Sequence, residues 1–226
     1  MKTLSIATAA PALDRRQFVQ GLAVVGAVGF GAGDVHAQSA IDVDKLLQGA
    51  EVPDLELGSK DAKVTMIEFA SLSCPACAAF HNEALPTLKE KYIDTGKMRL
   101  LMRDHPLNDP AFAASLLSRC ADDNDKAVKL QGVLFAKQNY WLGGRDILDR
   151  LYEIGKQAGF NRDKFEACIS DQPRYEKLVN QRNHSTDEYG IRGTPSFFIN
   201  GQRFTGDFTD PEAFAKMIDP LLKEAS

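Results

Sequence analysis
Apolar positions along this chain follow several patterns, and their order predicts its organisation. Val64 to Ala70 is a nearly unbroken apolar run between polar turns, as in a strand buried on both faces. Asp54 to Leu57 alternates polar with apolar, as a short strand does, and Lys97 to Arg103 reads as another strand. Between the last two, Phe80, Ala84, Leu85 and Leu88 recur at helical spacing, and the pattern fades near Thr95 and Gly96. From Asn108 the period is helical. Asp109-Pro110 opens one helix, running through Ala111 to Cys120. Lys126 to Trp141 predicts a second, stopped by Gly143-Gly144, and Asp146 to Ala158 a third, stopped by Gly159. Arg162 to Ser170 and Tyr175 to Tyr189 follow, the last closed by Gly190. Strands then return as Pro195 to Ile199 and Gln202 to Thr205, joined by Asn200-Gly201, the strongest short hairpin signal. Asp210-Pro211 opens a final amphipathic helix carrying Phe214, Met217, Ile218 and Leu221.

The predicted order is one strand, a strand–helix–strand unit, a run of helices, two strands and a helix. The strand-bearing pieces on either side of the helices are each too small to bury a core. The expected architecture is therefore one α/β domain over residues 54–226, with a helical block inserted at about 108–190. There is no internal repeat.

The first 37 residues read as an export signal. Arg15-Arg16 precede the glycine-diluted apolar stretch Gly21 to Gly33, and Val35-His36-Ala37 offers small residues for cleavage near Ala37. That stretch falls short of the ~18 continuous apolar residues of a membrane span. The paired arginines resemble a twin-arginine signal, although Asp14 and Val19 depart from its preferred residues. An ordinary secretory signal and an uncleaved anchor are the alternatives. Residues 38–53 read as a polar leader. Cleavage would leave 24 basic and 29 acidic residues, a charge of −5. A net charge of −4 for the whole chain, without a basic stripe, excludes a nucleic-acid footprint.

All four cysteines follow the signal, and an even count in an exported chain fits an oxidising compartment. Cys74 and Cys77 stand three apart where a helix begins, with Pro75 at its first position. Unpaired N–H groups and the helix dipole there favour a thiolate at Cys74, and Cys77 is one turn on. The pair reads as a redox dithiol at the carboxyl end of a strand, where active sites of α/β sheets gather. The metal reading adds His81 to the two thiols, but gives only three ligands. Glu68 interrupts the apolar strand six residues before Cys74. A carboxyl buried there can relay the proton of Cys77, whereas one at a sheet edge would escape to solvent. Thr194-Pro195 sits at the start of a strand, where proline alone is ordinary punctuation.

Glu68-Phe69, Cys74-Pro75-Ala76-Cys77, a helical insertion and Gly193 to Gly201 together resemble the DsbA-like branch of the thioredoxin superfamily. The resemblance covers about Leu55 to Leu222. It implies a thioredoxin fold, a central sheet flanked by helices with an all-helical insertion, in a periplasmic thiol–disulfide oxidoreductase. It makes Cys74 the exposed nucleophile, Cys77 the buried resolving thiol and Glu68 the buried acid. Substrate binding falls to Pro75, Ala76, Thr194 and a cis Pro195, with the Thr194 backbone receiving an extended chain. Cys120 and Cys168 are expected to form a structural bridge, as in some relatives; free thiols or a redox relay are the other readings. Partners implied are reduced exported proteins and a membrane DsbB-like reoxidant, with the chain a monomer and no cofactor required. Ala76 departs from the His of the best-known members, which implies a weaker oxidant. An isomerase or reductase of the same fold remains open because of Thr194, as does a metal-handling or chaperone-like binding protein.

Overall fold
The computed structural model describes residues 40–224. The export signal expected over residues 1–37 lies outside the described residues. Among those described, no helix is long and apolar enough to cross a membrane.

Five strands, β1 (Leu55–Leu57), β2 (Val64–Ala70), β3 (Met98–Asp104), β4 (Ser196–Ile199) and β5 (Gln202–Arg203), form one sheet in the order β1-β3-β2-β4-β5. β2 pairs parallel with β3, and the remaining pairs are antiparallel. The apolar run thus becomes the central strand, covered on both faces, and alternation sorts its side chains. Val64 and Met66 join Phe80, Leu85 and Phe214 in one core, while Ile67 and Phe69 join Leu46, Tyr189 and Phe198 in another. Glu68 falls on the Val64 and Met66 face. The hairpin turn takes positive φ at both Asn200 (44°) and Gly201 (81°), the type I′ preference that Asn-Gly satisfies.

The helices are α1 (Val43–Gln48), α2 (Pro75–Ala79), α3 (Leu85–Leu88), α4 (Asp109–Arg119), α5 (Asn124–Ala136), α6 (Gln138–Leu142), α7 (Ile147–Gln157), α8 (Arg162–Ile169), α9 (Gln172–Tyr189) and α10 (Pro211–Glu224). α4 to α9 are the expected block between β3 and β4. Three differences from the sequence pattern stand out. The helix after Cys74 is broken by wider π-helical turns, Phe80–Ala84 and Lys89–Ile93, on either side of α3. Pro86 lies just beyond the first; it cannot donate to the preceding turn, and a widened turn accommodates that loss. The single helix expected over 126–141 is two, α5 and α6, divided at Lys137.

The third difference concerns the leader over 38–53. It is polar in composition, yet its described part, from residue 40, contains α1 and packs onto the sheet. Leu46 is fully buried, Ile41 N–H donates to Gly201 O at 2.9 Å, and the Tyr189 hydroxyl donates to Lys45 O at 3.0 Å. Buried Arg103 ties this segment down, donating to both Asp54 carboxylate oxygens (2.8 and 2.6 Å) and to Leu46 O (2.7 Å). One apolar residue in a short amphipathic turn gives too weak a period to read, but the sheet supplies its partner surface.

Asp104, at the end of β3, joins the helical block to the sheet. It accepts from Arg119 Nε at 2.6 Å and Ser115 Oγ at 2.8 Å, both on α4. Cys120 and Cys168 are disulfide-bonded with their Cα atoms 5.9 Å apart, and Arg174 Nη1 lies 3.0 Å from Cys120 Sγ. The bridge pins the end of α4 to α8.

Candidate active site
Cys74 is the N-cap of α2, with extended backbone, and Pro75 takes the first helical position. Both Cys74 and Cys77 are free thiols here. The two sulfurs occupy different environments. Cys77 is fully buried, and Cys74, expected to be exposed, keeps only 8 % of its surface. The wall containing Thr194 comes down on Cys74, and the sulfur sits 3.1 Å from Thr194 O, to which it donates when protonated. Pro75 is exposed beside it, and Ala76 half-buried.

This surrounding separates the two acidities. The Cys77 thiol, donating to the Cys74 sulfur, lowers the Cys74 pKa most; burial opposes it. Thr194 and the N–H groups of Cys77 and Ala76 add to the lowering, which brings the value down from 9.0 to about 5. Cys77 is driven the other way, first by burial, then by its bond to Cys74 and by the Glu68 charge. One sulfur is therefore a thiolate near neutrality and the other a thiol. This is the asymmetry that disulfide exchange needs, because the thiolate both attacks and leaves.

The Thr194–Pro195 peptide bond is cis. Both residues are half-buried, and the Thr194 hydroxyl has no hydrogen-bond partner among the described residues. The strand β4 that follows pairs with β2, which places the wall against the dithiol although 120 residues separate Cys74 from Thr194.

Glu68 does not escape to solvent. It is fully buried, opposite Met102 on β3 and Phe197 on β4. Its Oε2 lies 2.9 Å from His81 Nε2, while Oε1 has no partner among the described residues. His81 is thus turned onto a carboxylate rather than joining the thiols as a ligand. Among the described residues, no group of three or more His, Cys, Asp or Glu is arranged to hold a metal ion.

Gln138 belongs to the site and escaped the sequence reading. From the first position of α6 its buried amide donates to Leu72 O at 2.8 Å and Cys74 O at 3.0 Å. The break between α5 and α6 allows this approach. A glutamine within a helical period carries no sequence signal of such a role. Tyr140, on α6, is 48 % exposed, whereas Trp141 is buried with its N–H donating to Leu134 O. His105 is buried, and desolvation, assisted by Arg182, lowers its pKa to about 4, so it is neutral.

Residues 51–220 match the family described as thioredoxin, and the chain belongs to that family, in its DsbA-like branch. The crystal structure of Wolbachia pipientis alpha-DsbA1 is similar with a TM-score of 0.71 and 32 % identity, covering 76 % of this chain and 92 % of that one. Bacillus subtilis BdbD shares the fold at a TM-score of 0.65 and 20 % identity, over 78 % of this chain and 95 % of its own. A Rickettsia bellii protein named as a protein-disulfide oxidoreductase is 34 % identical over 148 residues, 66 % of this chain. The chain spans 57 % of the length of that relative and 61 % of its Rickettsia felis counterpart.

Proposed function
We propose that this protein is a thiol–disulfide oxidoreductase that introduces disulfides into exported proteins through Cys74 and Cys77. The observation that carries the reading is the unequal placing of the two thiols, Cys74 at the N-terminus of α2 against Thr194 O and Cys77 fully buried behind it, which lowers the first thiol's pKa and raises the second's. A substrate thiolate attacks Cys74 Sγ of the Cys74–Cys77 disulfide, and the bond's electron pair leaves on Cys77. A second substrate thiolate then attacks the substrate sulfur of the mixed disulfide and releases Cys74 as a stabilised thiolate. The substrate is oxidised by two electrons and the dithiol reduced. A good leaving thiolate makes the second step fast and the protein oxidising.

Glu68 serves in this scheme as the buried acid that exchanges a proton with Cys77. Pro75, Ala76, Thr194 and Pro195 form the surface on which the substrate chain is held, with the Thr194 backbone available for strand-like pairing. Cys120–Cys168 is structural: it ties the end of α4 to α8 within the helical block. The sequence pattern over residues 1–37, read as an export signal, supports a periplasmic location and a twin-arginine route, with cleavage near Ala37. Oxidising turnover needs a quinone-linked membrane partner of DsbB type, and the chain acts as a monomer.

Equilibration against glutathione buffers, with trapped thiols counted by mass, tests the reading. A Cys74–Cys77 couple more oxidising than the glutathione pool supports a protein oxidase. A couple more reducing than that pool assigns a reductase, and no exchange with stoichiometric metal binding rejects the redox reading.

A further inference from the structure
The π-helical turn Phe80–Ala84 carries His81 over the sheet face that holds Glu68. The side chains are 4 % and 0 % exposed, and Nε2 meets Oε2 at 2.9 Å. Phe135 stacks on the imidazole with ring centroids 4.0 Å apart, and Phe80 meets its edge at 5.3 Å. Phe135 also packs in the same cluster as Cys74 and Cys77. An ionisable pair is thus sealed between aromatic rings next to the dithiol. An isolated charge in such a place costs several kcal/mol, so each member of the pair depends on the other as its partner. The carboxyl still has one oxygen, Oε1, with no partner among the described residues. A purely structural pair has no need of an unsatisfied buried oxygen, since that atom loses its hydration without compensation. Interruptions of this π type recur at functional sites.

Resting on the reading of Glu68 given above, we propose that His81 is the positioning residue of the buried acid. It fixes the Glu68 carboxyl beside Cys77 and shares with it the proton that Cys77 gains when the disulfide opens and returns when it closes. When a substrate thiolate attacks Cys74, the Cys77–Cys74 bond breaks and its electron pair stays on Cys77. The proton shared by Glu68 and His81 moves to that sulfur, leaving a carboxylate beside a neutral imidazole. The pair recovers one proton from solvent, matching the one the substrate thiol released on ionising. On reoxidation the Cys77 proton passes to Glu68 and the new thiolate attacks the mixed disulfide at Cys74. The groups facing the pair are Cys77 and, through its sulfur, Cys74 from the α2 side, Phe135 from α5, and Met102 and Phe197 as the strand neighbours of Glu68. The thiols are the titrating members of that set. The Glu68 charge is already among the causes that raise the Cys77 thiol, so the two groups are within electrostatic reach.

The test is acid-quenched kinetics of the reduced full-length protein with glutathione disulfide. A second-order phase reports Cys74 attacking the probe, and a first-order phase reports Cys77 displacing glutathione from Cys74. His81→Gln keeps a donor in place but cannot titrate. It is expected to slow the first-order phase by at least about tenfold and to leave the second-order phase within about twofold. Glu68→Gln slows the same phase, and the double variant is no slower than Glu68→Gln alone, because His81 acts through Glu68. A further loss on adding His81→Gln to Glu68→Gln overturns the proposal and leaves the Glu68 reading standing. An unchanged first-order phase in Glu68→Gln removes both. If His81→Gln does not fold, the wild-type pH profile decides. A first-order rate that levels off below pH 8 supports an internal base, and one climbing about tenfold per pH unit through pH 9 shows Cys77 ionising unaided and overturns it.

Discussion
The side-chain amide of Gln138 donates to the backbone carbonyl of Cys74 at 3.0 Å, and so links the helical block to the loop that holds the nucleophile. A second N–H of the same amide reaches Leu72 O at 2.8 Å. The two bonds hold the loop before α2 in the extended form that lets Cys74 cap the helix.

Gln138→Leu leaves both carbonyls without this donor in a buried place. The expected cost is about 1–3 kcal/mol in unfolding free energy of the reduced protein. With the loop freed, the N–H groups of Ala76 and Cys77 aim less well at the Cys74 sulfur. Its pKa should rise from about 5, as measured by the pH dependence of Cys74 alkylation. Gln138→Glu should be worse than Leu, since a carboxylate would face two carbonyl oxygens. An unshifted Cys74 titration in both variants would remove the loop-holding role.

Ala76 contributes only its backbone N–H to the Cys74 thiolate. Ala76→His adds a donor and, when protonated, a positive charge near the sulfur. The Cys74 pKa should fall further and the dithiol become more oxidising in glutathione equilibria. Identical potentials for the variant and the wild type would show that position 76 does not tune the couple.

Reduction should stabilise this protein in a pH-dependent way. The Cys74 pKa is depressed in the folded state, so its contribution is full above the unfolded value of 9.0 and lost as pH falls through about 5. Within that window the stability of reduced over oxidised protein should grow by about 1.4 kcal/mol per pH unit. The raised Cys77 pKa works against it only above about pH 9, where an unfolded thiol would ionise. Paired urea titrations of both redox forms at pH 5, 7 and 8.5 check the slope. A flat difference would mean that Cys74 is not a thiolate in the folded reduced form.

The Cys120–Cys168 bridge spans a sequence separation of 48. In the chain-entropy description, closing such a loop stabilises by about 4 kcal/mol. The Cys120→Ala/Cys168→Ala protein should lose stability up to that amount in urea while keeping an exchangeable Cys74–Cys77 pair. A stability equal to the wild type would show that the ion pair and hydrogen bonds of Asp104 hold the block without the bridge.

Much of the fold could be read from the chain because its signals are local. The apolar run Val64–Ala70 is the central strand to the residue, Asn200-Gly201 makes the predicted turn, and Gly190 ends α9 with φ of 62°. The cysteine pair at a helix start is likewise local chemistry, and the sequence alone points to the redox dithiol. Helix interruptions were less readable, since the widened turn near Pro86 and the break at Lys137 depend on what the helix packs against.

What only the tertiary structure decided is which distant groups meet at the sulfur. Sequence raised Glu68 as an acid, but whether it was buried, and what it faced, depended on two neighbouring strands and a helix closing over it. His81 was read as a possible metal ligand and is instead the partner of that carboxyl at 2.9 Å. Gln138 and Thr194 approach Cys74 from 64 and 120 residues away. Backbone propensity and periodicity act over a few residues, so they determine the elements. The acidity of a thiol depends on desolvation and on charges and donors within a few ångströms, and those distances exist only once the sheet and the helical block have come together.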